Sequence, residues 1–309
     1  MTLLFTHEAC LDHDTGPHHP ERPHRLAAIL KALKGDAFAA LEWRAAPEID
    51  PKLIERVHPA RHVDHVLGAI PAQGLGMLDG DTVVSAGSRE AALRAAGAVT
   101  AAVDAVLAGG TSKTAFCAVR PPGHHAEPMR AMGFCLFNNI AIGALHARVA
   151  HKLKRIAVVD FDVHHGNGTQ AAFESDPGLF YASTHQSPLY PGTGSASERG
   201  VADNIVNAPL PPLAGSREFR QAIRDVVLPA LDRFAPELVM ISAGFDAHRD
   251  DPLANLSLVE DDYAWVTGEL MAVADKSAKG RVISTLEGGY NLAALAASTA
   301  SHVGMLMRG

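Results

Sequence analysis

Apolar runs of strand length recur along this chain with longer segments of helical period between them, and that alternation restricts the fold more than any other feature. The runs are LLFT near residue 4, TAFCAV (114 to 119), RIAVVDFDV (155 to 163), LFYAST (179 to 184), ELVMISAG (237 to 244) and RVISTLEGG (281 to 289). Between them, SREAALRAAGAVTAAVDAVLAGG (88 to 110), which closes on a glycine pair, and SREFRQAIRDVVLPALDRF (216 to 234) read as helices. Strands rich in Val and Ile that alternate with helices predict an α/β protein with a parallel sheet covered on both faces. No repeat, low-complexity tract or linker interrupts the pattern, so residues 1 to 309 are expected to form a single domain.

Composition narrows the function classes. With 309 residues, 47% of them hydrophobic and 20% charged, the chain can bury a large core. The start MTLLFTHEAC lacks the basic and apolar regions of a leader, and no segment offers about 18 uninterrupted apolar residues. A cytoplasmic protein with no membrane contact is expected. Cys10, Cys117 and Cys135 are too few and too scattered for a disulfide framework or a thiolate metal cluster, so reduced thiols are expected. A formal net charge of -7 argues against a general nucleic-acid surface.

In open α/β sheets function collects at the carboxyl ends of strands. Here TAFCAV is followed by RPPGHHAE with His124 and His125, and RIAVV by DFDVHHGNGT with Asp160, Asp162 and His164. ELVMISAG is followed by FDAHRDDP with Asp246, and RVISTL by EGGYNL with Tyr290. Alternation in the strand sends Asp160, Asp162 and His164 to one side, where three ionisable groups are costly without a cation. Carboxylate and imidazole ligands without thiolate suit zinc or another divalent transition metal better than calcium. Two ligands from this stretch plus Asp246 would leave a coordination position open, with Asp160 free to orient a histidine. Each piece alone has an ordinary structural explanation, but the set, one piece after each of four strands, describes a metallohydrolase.

Other motifs read differently. Gly166 to Ala171 fits G-x-G-x-x-A, yet two acids and two histidines separate it from its strand and no acid ends the next strand, so nucleotide binding is not expected. His58, His62 and His65 have the spacing of one helical face, which could form a second metal site, but without a facing acid or an apolar cup nearby in sequence a polar surface face is expected. The turn Gly192-Thr193-Gly194 is too short a signal for a phosphate site.

Taken in order, RPPGHHAE, GFCLFNN, DFDVHHGNGTQ, YPGTG, SAGFDAHRDDPL and LEGGYNL resemble the zinc-dependent histone deacetylase family, and the likeness spans nearly the whole chain from HPERPHRL (19 to 26). The closest likeness is to its class II branch and to the bacterial histone deacetylase-like and acetylpolyamine amidohydrolases. The resemblance implies the arginase/deacetylase fold, a central parallel sheet of about eight strands flanked by helices. It implies Asp162, His164 and Asp246 as zinc ligands, and His124 and His125 as the tandem histidines, backed by Asp160 and Asn167 respectively. Class I relatives usually carry aspartate where this chain has Asn167, and the uncharged partner should leave His125 with a lower pKa than an aspartate would. Tyr290 matches the catalytic tyrosine. Gly133, Phe134 and Tyr190 fall where the family lines a narrow tunnel. A structural potassium ion is implied at the main-chain oxygens of Asp160, Asp162, His164 and Thr184, with the Ser183 hydroxyl and an Asp160 carboxylate oxygen.

The activity implied is zinc-dependent removal of acetyl or related acyl groups from the lysine ε-amine of peptides or proteins. Three alternatives stand beside it: an acetylpolyamine amidohydrolase, a dimanganese hydrolase of the arginase type, and a non-catalytic acyl-lysine binder. The polyamine-specific relatives carry an acid just after the Asp-Pro that follows the third zinc ligand. This chain has Leu253 after Asp251-Pro252, which favours a lysine side chain unless Asp250 or Asp251 turns inward.

Overall fold

A computed structural model describes all 309 residues. Ten strands form: β1 (Thr2–Thr6), β2 (Glu42–Ala45), β3 (Leu75–Met77), β4 (Val83–Ser85), β5 (Thr114–Cys117), β6 (Ile156–Asp160), β7 (Leu179–Gln186), β8 (Ile205–Leu210), β9 (Leu238–Ala243) and β10 (Val282–Leu286). Eight of them build one sheet in the order β2-β1-β5-β10-β9-β6-β7-β8, and every pairing in it is parallel. β3 and β4 form a separate antiparallel hairpin. A single contiguous core of 78 buried residues runs through the molecule, so there is one packing unit around the sheet and not two.

The four central strands β5, β10, β9 and β6 are buried along their whole length, which is why their sequences are continuous apolar runs. From β2 through β5 and β6 to β8 the chain steps across the sheet in one direction, and from β8 through β9 to β10 it steps back. Right-handed crossovers place the helices of the outward steps on one face and those of the return on the other. β6 and β9 are neighbours whose outgoing connections diverge to opposite faces. A crevice opens there at the carboxyl edge.

Helix Ser88–Leu107 packs on helix Asn139–His151 at close range: a Cβ at Gly143 would lie 2.4 Å from Val99 Cγ1, so the approach needs glycine. The expected helix over 216 to 234 is one rod with a π-turn at Ile223–Val227, next to Pro229. β2 and β8 were not foreseen. β2 is an edge strand with three exposed residues, and β8 contains Pro209, so neither carries a buried apolar run. No helix is long and apolar enough to cross a membrane. The three cysteines are free and buried.

The expected polar face of His58, His62 and His65 is overturned. The helix is Ala60–Gly68, so His58 precedes it, and His58 and His62 are buried and stacked at 5.1 Å while His65 alone is exposed. His58 Nε2 accepts from the Asn138 backbone N–H, and its Nδ1 lies 3.1 Å from the Glu127 carbonyl. Tertiary hydrogen bonds, invisible in helical spacing, keep it inside.

Candidate active site

Strand β6 ends at Asp160, and residues 162 to 164 form a bend instead of continuing the strand. Strict alternation therefore does not bring Asp160, Asp162 and His164 together. The bend does so through hydrogen bonds of its own. The Asp162 N–H donates to Asp160 Oδ1 (3.1 Å), the His164 N–H to Asp162 Oδ1 (2.9 Å), and the Val163 N–H to Asp246 Oδ1 (2.9 Å). From the loop after β10, two strands away, the Gly288 N–H donates to Asp162 Oδ2 (2.8 Å). Four backbone donors thus fix three carboxylates before any ion is considered.

His164 Nδ1 lies 3.1 Å from Asp162 Oδ1 and 3.2 Å from Asp246 Oδ2. A tetrahedral ion with bonds of about 2.0 to 2.1 Å separates its ligand atoms by about 3.3 Å, so this spacing fits zinc-type coordination. The carboxylates pack directly against backbone that only glycine can supply: a Cβ at Gly244 would fall 2.0 Å from Asp162 Oδ2, and one at Gly288 2.1 Å from Asp246 Oδ2. Burial opposes charge on His164, yet the two carboxylates raise its pKa to about 10. The cluster favours positive charge at its centre, whether a proton or a metal ion supplies it.

His124 and His125 stand side by side, with ring centroids 4.0 Å apart. His124 Nδ1 is 2.9 Å from Asp160 Oδ2, which also accepts from the Tyr181 hydroxyl. Burial works against its charge, but Asp162 and Asp160 win and raise it to about 10. His125 goes the other way. Burial lowers it well below 6.5, and the positive charges of His124 and His164 lower it further. Its Nδ1 lies 2.8 Å from Asn167 Oδ1, and the Asn167 amide donates to Glu127 Oε1 at 2.7 Å, which sets the amide's orientation. His125 Nδ1 therefore carries the proton and Nε2 the free lone pair. Two adjacent imidazoles with pKa values driven apart make a fixed cation beside a base.

A cavity of about 260 Å³ is lined by His125, His164 and Tyr290 together with Gly133, Phe134, Leu189, Tyr190, Leu253 and Asp81. Gly133 has φ +57, and a Cβ there would sit 2.5 Å from His125 Cδ2. Phe134 meets Tyr290 edge-on at 5.9 Å, and Tyr190 meets His125 at 5.1 Å. Burial raises the Tyr290 hydroxyl well above 10, so it remains a proton-bearing donor. Larger surface clefts elsewhere carry none of these groups.

Asp250 is exposed, and Asp251 is absent from the cavity lining, because its carboxylate is held by backbone N–H groups. The carboxylate that does reach the cavity is Asp81, in the turn of the β3–β4 hairpin. Its Oδ1 accepts from the Gly133 N–H (3.2 Å) and the Thr82 hydroxyl (3.0 Å). Sequence reading missed it, since DGDT looks like an ordinary turn. Also unforeseen is the fully buried Glu21, which binds Arg25 and Arg120, while Arg25 donates to the carbonyls of Gly289 (2.6 Å) and Glu287 (2.6 Å).

Comparison with known proteins agrees with this geometry. The profile of the histone deacetylase domain matches residues 19–306. An uncharacterised protein of Synechocystis sp. is 41% identical over 96% of this chain and 97% of its own length. The histone deacetylase-like amidohydrolase of Pseudomonas aeruginosa is 38% identical over 94% of this chain and 82% of its own. The crystal structure of the HDA15 HD domain superposes with a TM-score of 0.93 at 37% identity, covering 99% of this chain and 88% of that one. The protein belongs to the histone deacetylase family.

Proposed function

We propose that this protein is a zinc-dependent amidohydrolase that removes acetyl groups from the lysine ε-amine of peptides or proteins. The observation that carries the proposal is the Asp162, His164 and Asp246 cluster, with ligand-ligand spacings of 3.1 and 3.2 Å, in a cavity that also presents His125 and Tyr290. When bound there, zinc would polarise the acyl carbonyl and lower the pKa of the attacking water. The chain's own groups do the rest. Nε2 of neutral His125 takes the water's proton and returns it to the leaving amine. His124, held by Asp160, stays cationic and stabilises developing negative charge. The Tyr290 hydroxyl donates to the acyl oxygen as that charge grows. Phe134, Tyr190 and Leu253 provide apolar wall for the lysine methylenes, and Gly133 leaves them room.

Potassium is proposed on the inner side of the same bend. No N–H or hydroxyl donates to the carbonyls of Asp162 or His164, although both residues are buried, so both oxygens are free for a cation. The Asp160 and Thr184 carbonyls, the Ser183 hydroxyl and an Asp160 carboxylate oxygen complete the proposed set. The functional unit we propose is the whole of residues 1 to 309, since Thr2–Thr6 is an interior strand, and the proposed location is the reducing cytoplasm, which the three free cysteines fit.

One observation favours a second substrate. With Oδ1 committed, Asp81 Oδ2 can receive either the backbone N–H of a peptide or the ammonium of an acetylated polyamine. Leu253 favours the peptide. Turnover of an acetyl-lysine peptide and of N8-acetylspermidine by the purified zinc-loaded protein decides. The peptide is expected to show the higher kcat/KM, and Leu253→Glu should move the preference toward the polyamine. A wild-type preference for acetylspermidine overturns the lysine assignment, and no hydrolysis of either overturns the hydrolase.

A further inference from the structure

Tyr290 sits on a segment that cannot hold itself. Gly288 and Gly289 precede it, Gly289 at φ +120, and neither has a side chain to pack. The carbonyls of this segment are anchored on one side by Arg25, whose guanidinium also lies 4.8 Å from the Tyr290 ring centroid. Its N–H groups are held by a residue from a different loop. Asp251 Oδ2 accepts from the Tyr290 N–H (2.7 Å) and the Asn291 N–H (3.2 Å), while Oδ1 accepts from the Leu253 N–H (3.0 Å). The Asn291 amide returns a bond to the Asp250 carbonyl (3.1 Å), and its oxygen caps the helix Leu292–Leu306. Asp251 is buried at 7% exposure.

We infer that Asp251 is a positioning residue for Tyr290: one carboxylate, with both oxygens in use, fixes the backbone of the hydroxyl donor and that of the Leu253 wall relative to each other. This rests on the hydrolase reading above. A small displacement of the Tyr290 backbone becomes a larger one at the hydroxyl, which must meet the acyl oxygen within hydrogen-bond distance. An asparagine at 251 keeps the size of the side chain but has a single acceptor oxygen, so it can hold one loop and not both.

The test is a double-mutant comparison. Asp251→Asn is expected to lower kcat on the order of tenfold to a hundredfold, with bound metal unchanged. In the Tyr290→Phe background, where there is no hydroxyl left to position, the same substitution should change kcat by about twofold or less. Equal loss in both backgrounds, or loss of metal, overturns the inference. Amide hydrogen exchange separates this from the hydrolase reading, because it needs no activity. The N–H groups of Leu253, Tyr290 and Asn291 should be protected in the wild type, and those of Tyr290 and Asn291, or that of Leu253, should exchange faster in Asp251→Asn. If that variant does not fold, the wild type still decides, and fast exchange at Tyr290 overturns the inference.

Discussion

Asp162, His164 and Asp246 converge at the sheet edge, and Asp104, His146 and His151 converge between helices Ser88–Leu107 and Asn139–His151; both groups bring aspartate and imidazole atoms close enough to share an ion. They differ in three physical respects. At the sheet edge one imidazole nitrogen faces two separate carboxylates at 3.1 and 3.2 Å, whereas His146 Nε2 and His151 Nε2 both crowd a single oxygen, Asp104 Oδ1, at 2.7 Å. Arg56 can only donate, and its Nη1 is 2.9 Å from His146 Nδ1, so the His146 proton is on Nε2 and that nitrogen has no lone pair for a metal. Finally, backbone N–H groups hold the carboxylates at the sheet edge, while the Asp104 side chain is 55% exposed. The residue types alone do not make a metal centre. Burial, spacing and a preset protonation state do.

The most severe way to break this contrast is Asp246→Ala. It removes one ligand and leaves the Val163 N–H without its acceptor, so bound metal and turnover should be lost together. Elemental analysis and an activity assay on one preparation check it, and undiminished turnover sinks the assignment. Next in size is Tyr290→Phe, which removes a hydroxyl that the Asp104 cluster has no counterpart for. kcat should drop by about two orders of magnitude with metal content intact and little change in KM. A rise in KM alone would make Tyr290 a binding residue.

How much of this was legible in the sequence follows from where the information sits. The interior strands announce themselves because burial on both faces demands apolar runs, and the site residues announce themselves because they follow those runs. Edge strands β2 and β8 have no such demand and were silent. The grouping of Asp160, Asp162 and His164 was anticipated for an incorrect reason, since backbone hydrogen bonds in a bend bring them together and not strand alternation. Asp81 and Asp251 were illegible in their roles. Each acts across sequence distance, Asp81 on Gly133 and Asp251 on Tyr290, and an acid in a turn gives no local sign of which N–H it will meet.

A third histidine environment sharpens the comparison with a smaller effect. His302 is fully buried, with Nδ1 2.6 Å from the Thr267 hydroxyl and Nε2 2.8 Å from that of Ser284, and no acid touches it. Burial pushes its pKa down to about 3, opposite to His164. As pH falls, the unfolded chain takes up this proton near the ordinary 6.5 while the folded protein does not. The contribution of His302 to stability is therefore complete above pH 6.5 and is lost as pH falls from 6.5 toward 3. Between pH 7 and 5.5 the loss is about 1 kcal/mol. Urea unfolding of wild type and His302→Gln at both pH values should give a shallower loss in the variant by about that amount. Identical slopes would mean that His302 is protonated in the fold.

The smallest expected effect is the counterpart of the first. Asp104→Ala breaks two hydrogen bonds that link the helix Ser88–Leu107 to the helix Asn139–His151, but on a half-exposed carboxylate; the partly exposed His151 can turn to water, and the buried His146 keeps its bond from Arg56. The cost should be about 0.2 to 1 kcal/mol of stability, the range for exposed pairs. Bound metal and kcat should match the wild type, because no group in the cavity touches this cluster. The informative outcome is the count of tightly bound zinc. If wild type holds a second equivalent that Asp104→Ala lacks, then His146 has surrendered its Nε2 proton in spite of Arg56, and spacing and protonation state would no longer separate a metal centre from a hydrogen-bonded cluster.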